Sequence, residues 1–237
     1  MLGETTKQVP LIRKALPMRS SLRPFSAVAV SGLLALTLAA CGGSSSGSTA
    51  SAPKAAASPV ASLTNLTGVK TEVVVDPSFL AGLTSLKLTP GVVGTATLKD
   101  GTLAFPITSG SATYYTPGSR TPYVESEIHH DGSGISLTDG KTKVELTNFV
   151  VDAGKSILTG DVSANGASVV KAAPLFFLDG STLQPLQVDK AAGTGVLFGT
   201  KVSITKEAAA LLDKTYGTMA ITPFFKVGVA RITLKLA

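Results

Sequence analysis

From Val69 onward, turn-forming pairs separate short apolar runs, and this punctuation limits the fold more than any other feature. The pairs are Asp100-Gly101, Asp139-Gly140, Ala153-Gly154, Asn165-Gly166 and Asp179-Gly180, several of the type that closes a two-residue hairpin. Between them the apolar residues recur with period two. In the last run Ala230, Ile232, Leu234 and Leu236 interleave with Arg231, Thr233 and Lys235, so one face is apolar and the other wet. Similar runs are expected as strands at Glu72–Asp76, Gly94–Leu98, Leu103–Ile107, Tyr123–His130, Lys143–Val151, Ile157–Val162, Val169–Leu178 and Gly195–Ile204. The pattern predicts an all-β fold, an antiparallel β-sandwich with one or two short helices packed on it.

The helices are expected where helix-end chemistry breaks the alternation. Asp76-Pro77 offers an N-cap and a first-turn proline for Ser78–Ser85. Thr205 is placed to cap Lys206–Tyr216, with Glu207 in the first turn and Gly217 just past the end. Ala208, Leu211, Leu212 and Thr215 fall at helical spacing, so a stripe of the second helix should face the sheet.

Upstream of Val69 the composition changes twice. Residues 1–40 hold Lys7, Arg13, Lys14, Arg19 and Arg23 against Glu4 alone, and they account for most of the chain's formal charge of +6. The remainder is close to balanced, which removes the main support for nucleic-acid binding. Phe25 to Ala40 is uncharged but shorter than the roughly 20 apolar residues a spanning helix needs, so residues 1–40 read as a signal peptide, with Met18 as an alternative start to Met1. Leu38-Ala39-Ala40-Cys41, followed by Gly42, resembles the lipobox of bacterial lipoproteins. That resemblance implies diacylglycerol on the Cys41 sulfur, cleavage before Cys41, and anchoring to the extracytoplasmic face of the cell membrane. Cys41 is the only cysteine, so no intrachain disulfide can form. Residues 41–68 are dominated by Gly, Ser, Ala, Thr and Pro and read as a flexible tether, leaving 69–237 as the globular domain.

The polar run Tyr123-Val124-Glu125-Ser126-Glu127-Ile128-His129-His130 is the part of the domain with a geometric case for chemistry. On a strand, Tyr123, Glu125, Glu127 and His129 share one face, while Val124, Ser126, Ile128 and His130 share the other. Glu125, Glu127 and His129 are candidate ligands for a divalent metal, although the same residues suit an ordinary wet face. Alternation turns His130 inward, either as a satisfied core residue or at a pocket mouth beside the turn Gly132-Ser133-Gly134. Tyr114 and Tyr115 are candidate ligand contacts, or one core ring and one rim ring. No Gly-x-Ser-x-Gly, His-Glu-x-x-His, phosphate-binding glycine loop or Cys/His pair is present, and the chain is not expected to be an enzyme.

His130-Asp131-Gly132-Ser133-Gly134-Ile135-Ser136-Leu137, the run Val144–Val151, Leu158-Thr159-Gly160-Asp161-Val162, and the closing Ile204–Ala210 and Tyr216-Gly217 together resemble the HtaA-type haem-transport domain of actinobacterial surface proteins, over about Thr71 to Leu236. In that family a tyrosine near the domain start ligates haem iron and the histidine supports it. Pro77–Leu83, the corresponding segment, holds no tyrosine, so the resemblance carries over only to His130, as a pocket residue. The sequence thus implies a lipid-anchored surface protein that binds haem or another small hydrophobic ligand. A structural or partner-docking lipoprotein of the envelope, without a small-molecule site, is the alternative.

Overall fold

The computed structural model describes residues 57–66 and 69–236. The signal peptide, Cys41 and most of the tether lie outside the described residues. Thirteen strands are described: β1 (Pro59–Leu63), β2 (Lys70–Val75), β3 (Thr89–Gly94), β4 (Thr97–Lys99), β5 (Thr102–Pro106), β6 (Ser109–Tyr115), β7 (Val124–Thr138), β8 (Lys143–Asp152), β9 (Ile157–Ala164), β10 (Ala167–Asp179), β11 (Gln187–Asp189), β12 (Thr194–Ile204) and β13 (Lys226–Lys235). Two helices, α1 (Pro77–Ser85) and α2 (Lys206–Tyr216), and a single 3₁₀ turn at Gly180–Thr182 complete the domain.

The strands form one antiparallel sheet in the order β1-β6-β7-β8-β9-β10-β12-β13-β2-β5-β4, with β3 added to β7 and β11 to β12. The sheet curls until β2 and β5 stand opposite β7 and β8, so its two halves face each other like the layers of a sandwich. Phe105 on β5 meets Phe149 on β8 edge to face at 5.3 Å, and Phe149 meets Phe176 on β10 at 6.3 Å. These rings sit in one continuous core with Val73, Ile128, Leu146, Leu175 and Leu197.

The curl has a local cause. Register irregularities fall side by side on four neighbouring strands: between His130 and Gly134 on β7, between Thr147 and Val150 on β8, and between Val170 and Ala173 where β10 meets β9. Bulges bend a strand and increase its twist, and a row of them folds the whole sheet. One hydrogen-bonded chain pins the row. The Asn148 amide oxygen accepts from Gly132 N at 2.9 Å and its nitrogen donates to Asp161 Oδ2 at 3.0 Å, while Asp161 also accepts from Lys171 Nζ at 2.9 Å and Ala172 N at 3.1 Å. Those donors, Asn148 foremost, hold the Asp161 carboxyl below the usual carboxylate range.

Several elements depart from the sequence expectation. Order begins before Val69: β1 pairs with β6, and Leu66 is buried with its N–H on Gly110 O at 2.9 Å. A short polar segment needs only a neighbour's open edge to become a strand, and β6 supplies one. The strand expected at Gly94–Leu98 is broken in two: Gly94 ends β3, Thr95 and Ala96 turn the chain, and Thr97-Leu98 open β4. Gly94 has φ 61°, and a Cβ there would stand 1.8 Å from Gly132 O. Pro90 disguised β3, but on a strand paired only to β7 its missing N–H costs nothing. Gly132-Ser133-Gly134 is not a turn; β7 runs through it as the first bulge of the row.

Both helices lie where their caps placed them. Asp76 accepts from Ser78 N at 3.0 Å and meets Lys226 Nζ at 2.8 Å. Thr205 accepts from Ala208 N at 3.0 Å and donates to Pro174 O at 2.6 Å, which ties the start of α2 to β10. The buried face of α2 is Ala208, Ala209 and Leu212, and Tyr216 OH donates to Leu137 O at 2.8 Å.

Asn148 carries two bonds of the bulge row and holds φ 53°, a conformation asparagine tolerates better than alanine. Asn148→Ala is expected to lower stability by about 2–3 kcal/mol in urea unfolding, and Asn148→Gly, which keeps the backbone freedom, by about 1 kcal/mol less.

Candidate functional site

The inward row of β7 lines a cavity of about 450 Å³ enclosed by the curled sheet. Val124, Ser126, Ile128 and His130 form one wall, as alternation predicts, with Phe149 and Val151 beside them and Val73, Leu103 and Phe105 facing them. Exposed Thr121, Gly180 and Ser181 mark the rim on the solvent side. There the Tyr123 hydroxyl donates to Leu183 O at 2.8 Å, joining the start of β7 to the segment after β10.

His130 is 1% exposed, among the most buried side chains of the domain. Its Nδ1 lies 3.2 Å from Phe149 O, which can only accept, so Nδ1 carries the proton and donates. Nε2 then accepts from the Thr71 hydroxyl at 2.8 Å, across the gap between the sheet halves. Phe105 stands edge-on to the ring at 6.3 Å. Burial without a charged partner in contact lowers the His130 pKa to about 4, so the ring is neutral at physiological pH. Ser133, fully buried in the adjacent bulge, donates to His130 O at 3.0 Å.

The outward row behaves differently. His129 Nε2 meets Glu127 Oε1 at 3.1 Å on the surface, whereas Glu125 is taken by Arg120 Nη2 at 2.5 Å and the Tyr115 hydroxyl at 3.2 Å. Arg120 also stacks over the Tyr115 ring, 4.3 Å from its centroid. Glu125, Glu127 and His129 therefore do not converge, and among the described residues no three His, Cys, Asp or Glu side chains are placed to hold a metal ion. Tyr114 and Tyr115 do not line the cavity. Tyr114 packs edge to face against Tyr123 at 5.9 Å, beside the core, and Tyr115 belongs to the surface cluster. Tyr123 is the tyrosine that lines it. Alternation had assigned Tyr123 to the wet face, but β7 begins only at Val124, so strand parity does not reach it. Thr71 was also missed, because its importance lies in a partner 59 positions away.

The HtaA-type resemblance implies haem, and no side chain lining the cavity offers iron an open ligand. Haem iron needs an open lone pair from imidazole or an anionic ligand. Both His130 nitrogens are engaged within the fold. The chain has four tyrosines. Tyr115, Tyr123 and Tyr216 donate their hydroxyl protons, Tyr114 OH accepts from Leu186 N at 3.4 Å, and burial raises the Tyr216 pKa to about 12.

The curled antiparallel sheet with its two short helices is the fold of the HtaA domain. The crystal structure of the C-terminal domain of HtaA from Corynebacterium glutamicum matches at a TM-score of 0.50 and 16% identity, covering 73% of this chain and 99% of that one. The heme binding protein HtaB from Corynebacterium glutamicum matches at a TM-score of 0.44 and 11% identity, covering 74% of this chain and 96% of its own. No protein-family model and no curated protein matches the sequence.

A buried neutral histidine makes stability depend on pH. Its folded pKa of about 4 lies below the unfolded 6.5, so its contribution is complete above pH 6.5 and is lost as pH falls toward 4. Between pH 7.5 and 5.0 urea unfolding should show a loss of about 2 kcal/mol from this group. His130→Gln should remove that slope, while its own stability at pH 7.5 is lower.

Proposed function

We propose that this is a lipid-anchored binding protein of the extracytoplasmic membrane face that holds a small hydrophobic ligand inside its curled sheet. The observation that carries the reading is the cavity of about 450 Å³, a size typical of ligand pockets and walled mainly by apolar side chains. Folded interiors are packed nearly to crystal density. An apolar space of this size is a feature of the fold, and its solvent-side rim at Thr121, Gly180 and Ser181 gives a ligand a way in. The fold shared with the HtaA domain is consistent with a binding role.

The anchoring half of the proposal rests on Leu38-Ala39-Ala40-Cys41 and the Gly/Ser/Ala-rich segment after it. Among the described residues no helix is long and apolar enough to cross a membrane. Two acyl chains on Cys41 would give durable attachment at about 0.8 kcal/mol per buried CH₂.

Cys41→Ser should move the protein from the membrane pellet to the soluble fraction; retention in the pellet would contradict the anchor. Native mass spectrometry of that soluble chain, after incubation with a membrane lipid extract, should show one apolar molecule per chain. A chain that takes up nothing would contradict the binding role.

A further inference from the structure

We propose that the molecule held in this cavity is uncharged and apolar, with the bulk of two or three rings, and that the site refuses haem and other anions. The inference rests on the reading of the cavity as a ligand site and concerns what that site selects.

The walls decide the charge. Among the described residues that line the cavity, Asp179 is the only one with a charged side chain, and it is negative. It stands at the rim, where Oδ1 accepts from Ser181 N at 3.0 Å and from the Ser181 hydroxyl at 2.5 Å; these bonds keep it ionised by holding its pKa below the ordinary value. Lys201, its partner across the β10–β12 pair, is exposed and does not line the cavity. A ligand carboxylate or sulfonate drawn inside would lose its hydration and meet no cation, a cost of several kcal/mol.

The polar groups deeper in the wall are neutral. His130 and Thr71 spend their hydrogen bonds on each other and on Phe149 O. Ser126 and Thr200 contribute hydroxyls to the lining, enough to meet one weak polar group on a ligand but not to balance a full charge. The aromatic faces of Phe105, Phe149 and Phe176 favour flat rings over a flexible chain. Haem fails against these walls because its iron finds no open ligand among the lining side chains.

The test uses the full-length Cys41→Ser chain and two fluorescent dyes built on one anilinonaphthalene skeleton, N-phenyl-1-naphthylamine, which is neutral, and 8-anilinonaphthalene-1-sulfonate, which carries one sulfonate. The neutral dye is expected to bind at least tenfold more tightly, and micromolar haemin should show no protein-dependent Soret shift. Ala112→Leu and Ala230→Leu, two small lining residues on different strands, should each weaken the neutral dye at least fivefold. Equal or tighter binding of the sulfonate, or a haemin Soret shift, overturns the selectivity and leaves the ligand site standing. Neutral-dye binding that neither variant changes places the dye elsewhere and overturns the proposal. If neither dye binds, the ligand site itself falls and the proposal with it.

Discussion

The burial of one neutral imidazole organises this domain. His130 comes from β7 and Thr71 from β2, strands with five others between them along the sheet and in its two facing halves, and the 2.8 Å bond between them spans the curl. A polar ring this deep is tolerable only if both nitrogens are satisfied and the ring stays uncharged. Phe149 O and the Thr71 hydroxyl satisfy them, and the surrounding rings keep water and charge away. The same arrangement points the Nε2 lone pair at the Thr71 hydroxyl, so a metal would have to displace that bond to reach the ring.

The cavity follows from how the curl is made. Bulges on adjacent strands, joined through Asn148 and Asp161, bend the sheet at one level, and the histidine strap fixes how far it closes. With curvature set by backbone and strap, the side chains between the halves cannot collapse to fill the space by drawing the layers together. What remains is apolar, reached past Tyr123 and Ser181, and bordered by a single carboxylate. A likeness of fold to the HtaA domain does not by itself carry a chemistry, because function is decided by the residues of a site.

Much of the strand content was legible because burial of one sheet face imposes period two, and that rule also turned His130 inward and Glu127 and His129 outward. The caps of α1 and α2 were legible for a similar reason: Asp76, Thr205 and Gly217 act within a few residues of themselves. What escaped depends on partners far along the chain. β1 exists because β6 offers it an open edge, and β6 because β7 does, while Gly132-Ser133-Gly134 reads locally as a turn although it is a bulge opposite Asn148. Period two says which way a side chain points, not whether a space lies beyond it, so the cavity was invisible until the curl was known. Cys41 lies outside the described residues, and its reading still rests on the sequence around it.

His130 is held as a neutral strap between the sheet halves. Long-range ¹H–¹⁵N NMR of the imidazole side chains reads this directly. His130 is expected to be the Nδ1-protonated neutral tautomer, to stay so from pH 7.5 down to pH 5, and to keep its signals unchanged when haemin is added. A His130 ring that titrates near the ordinary value of 6.5, carries its proton on Nε2, or is broadened by haemin iron would contradict it.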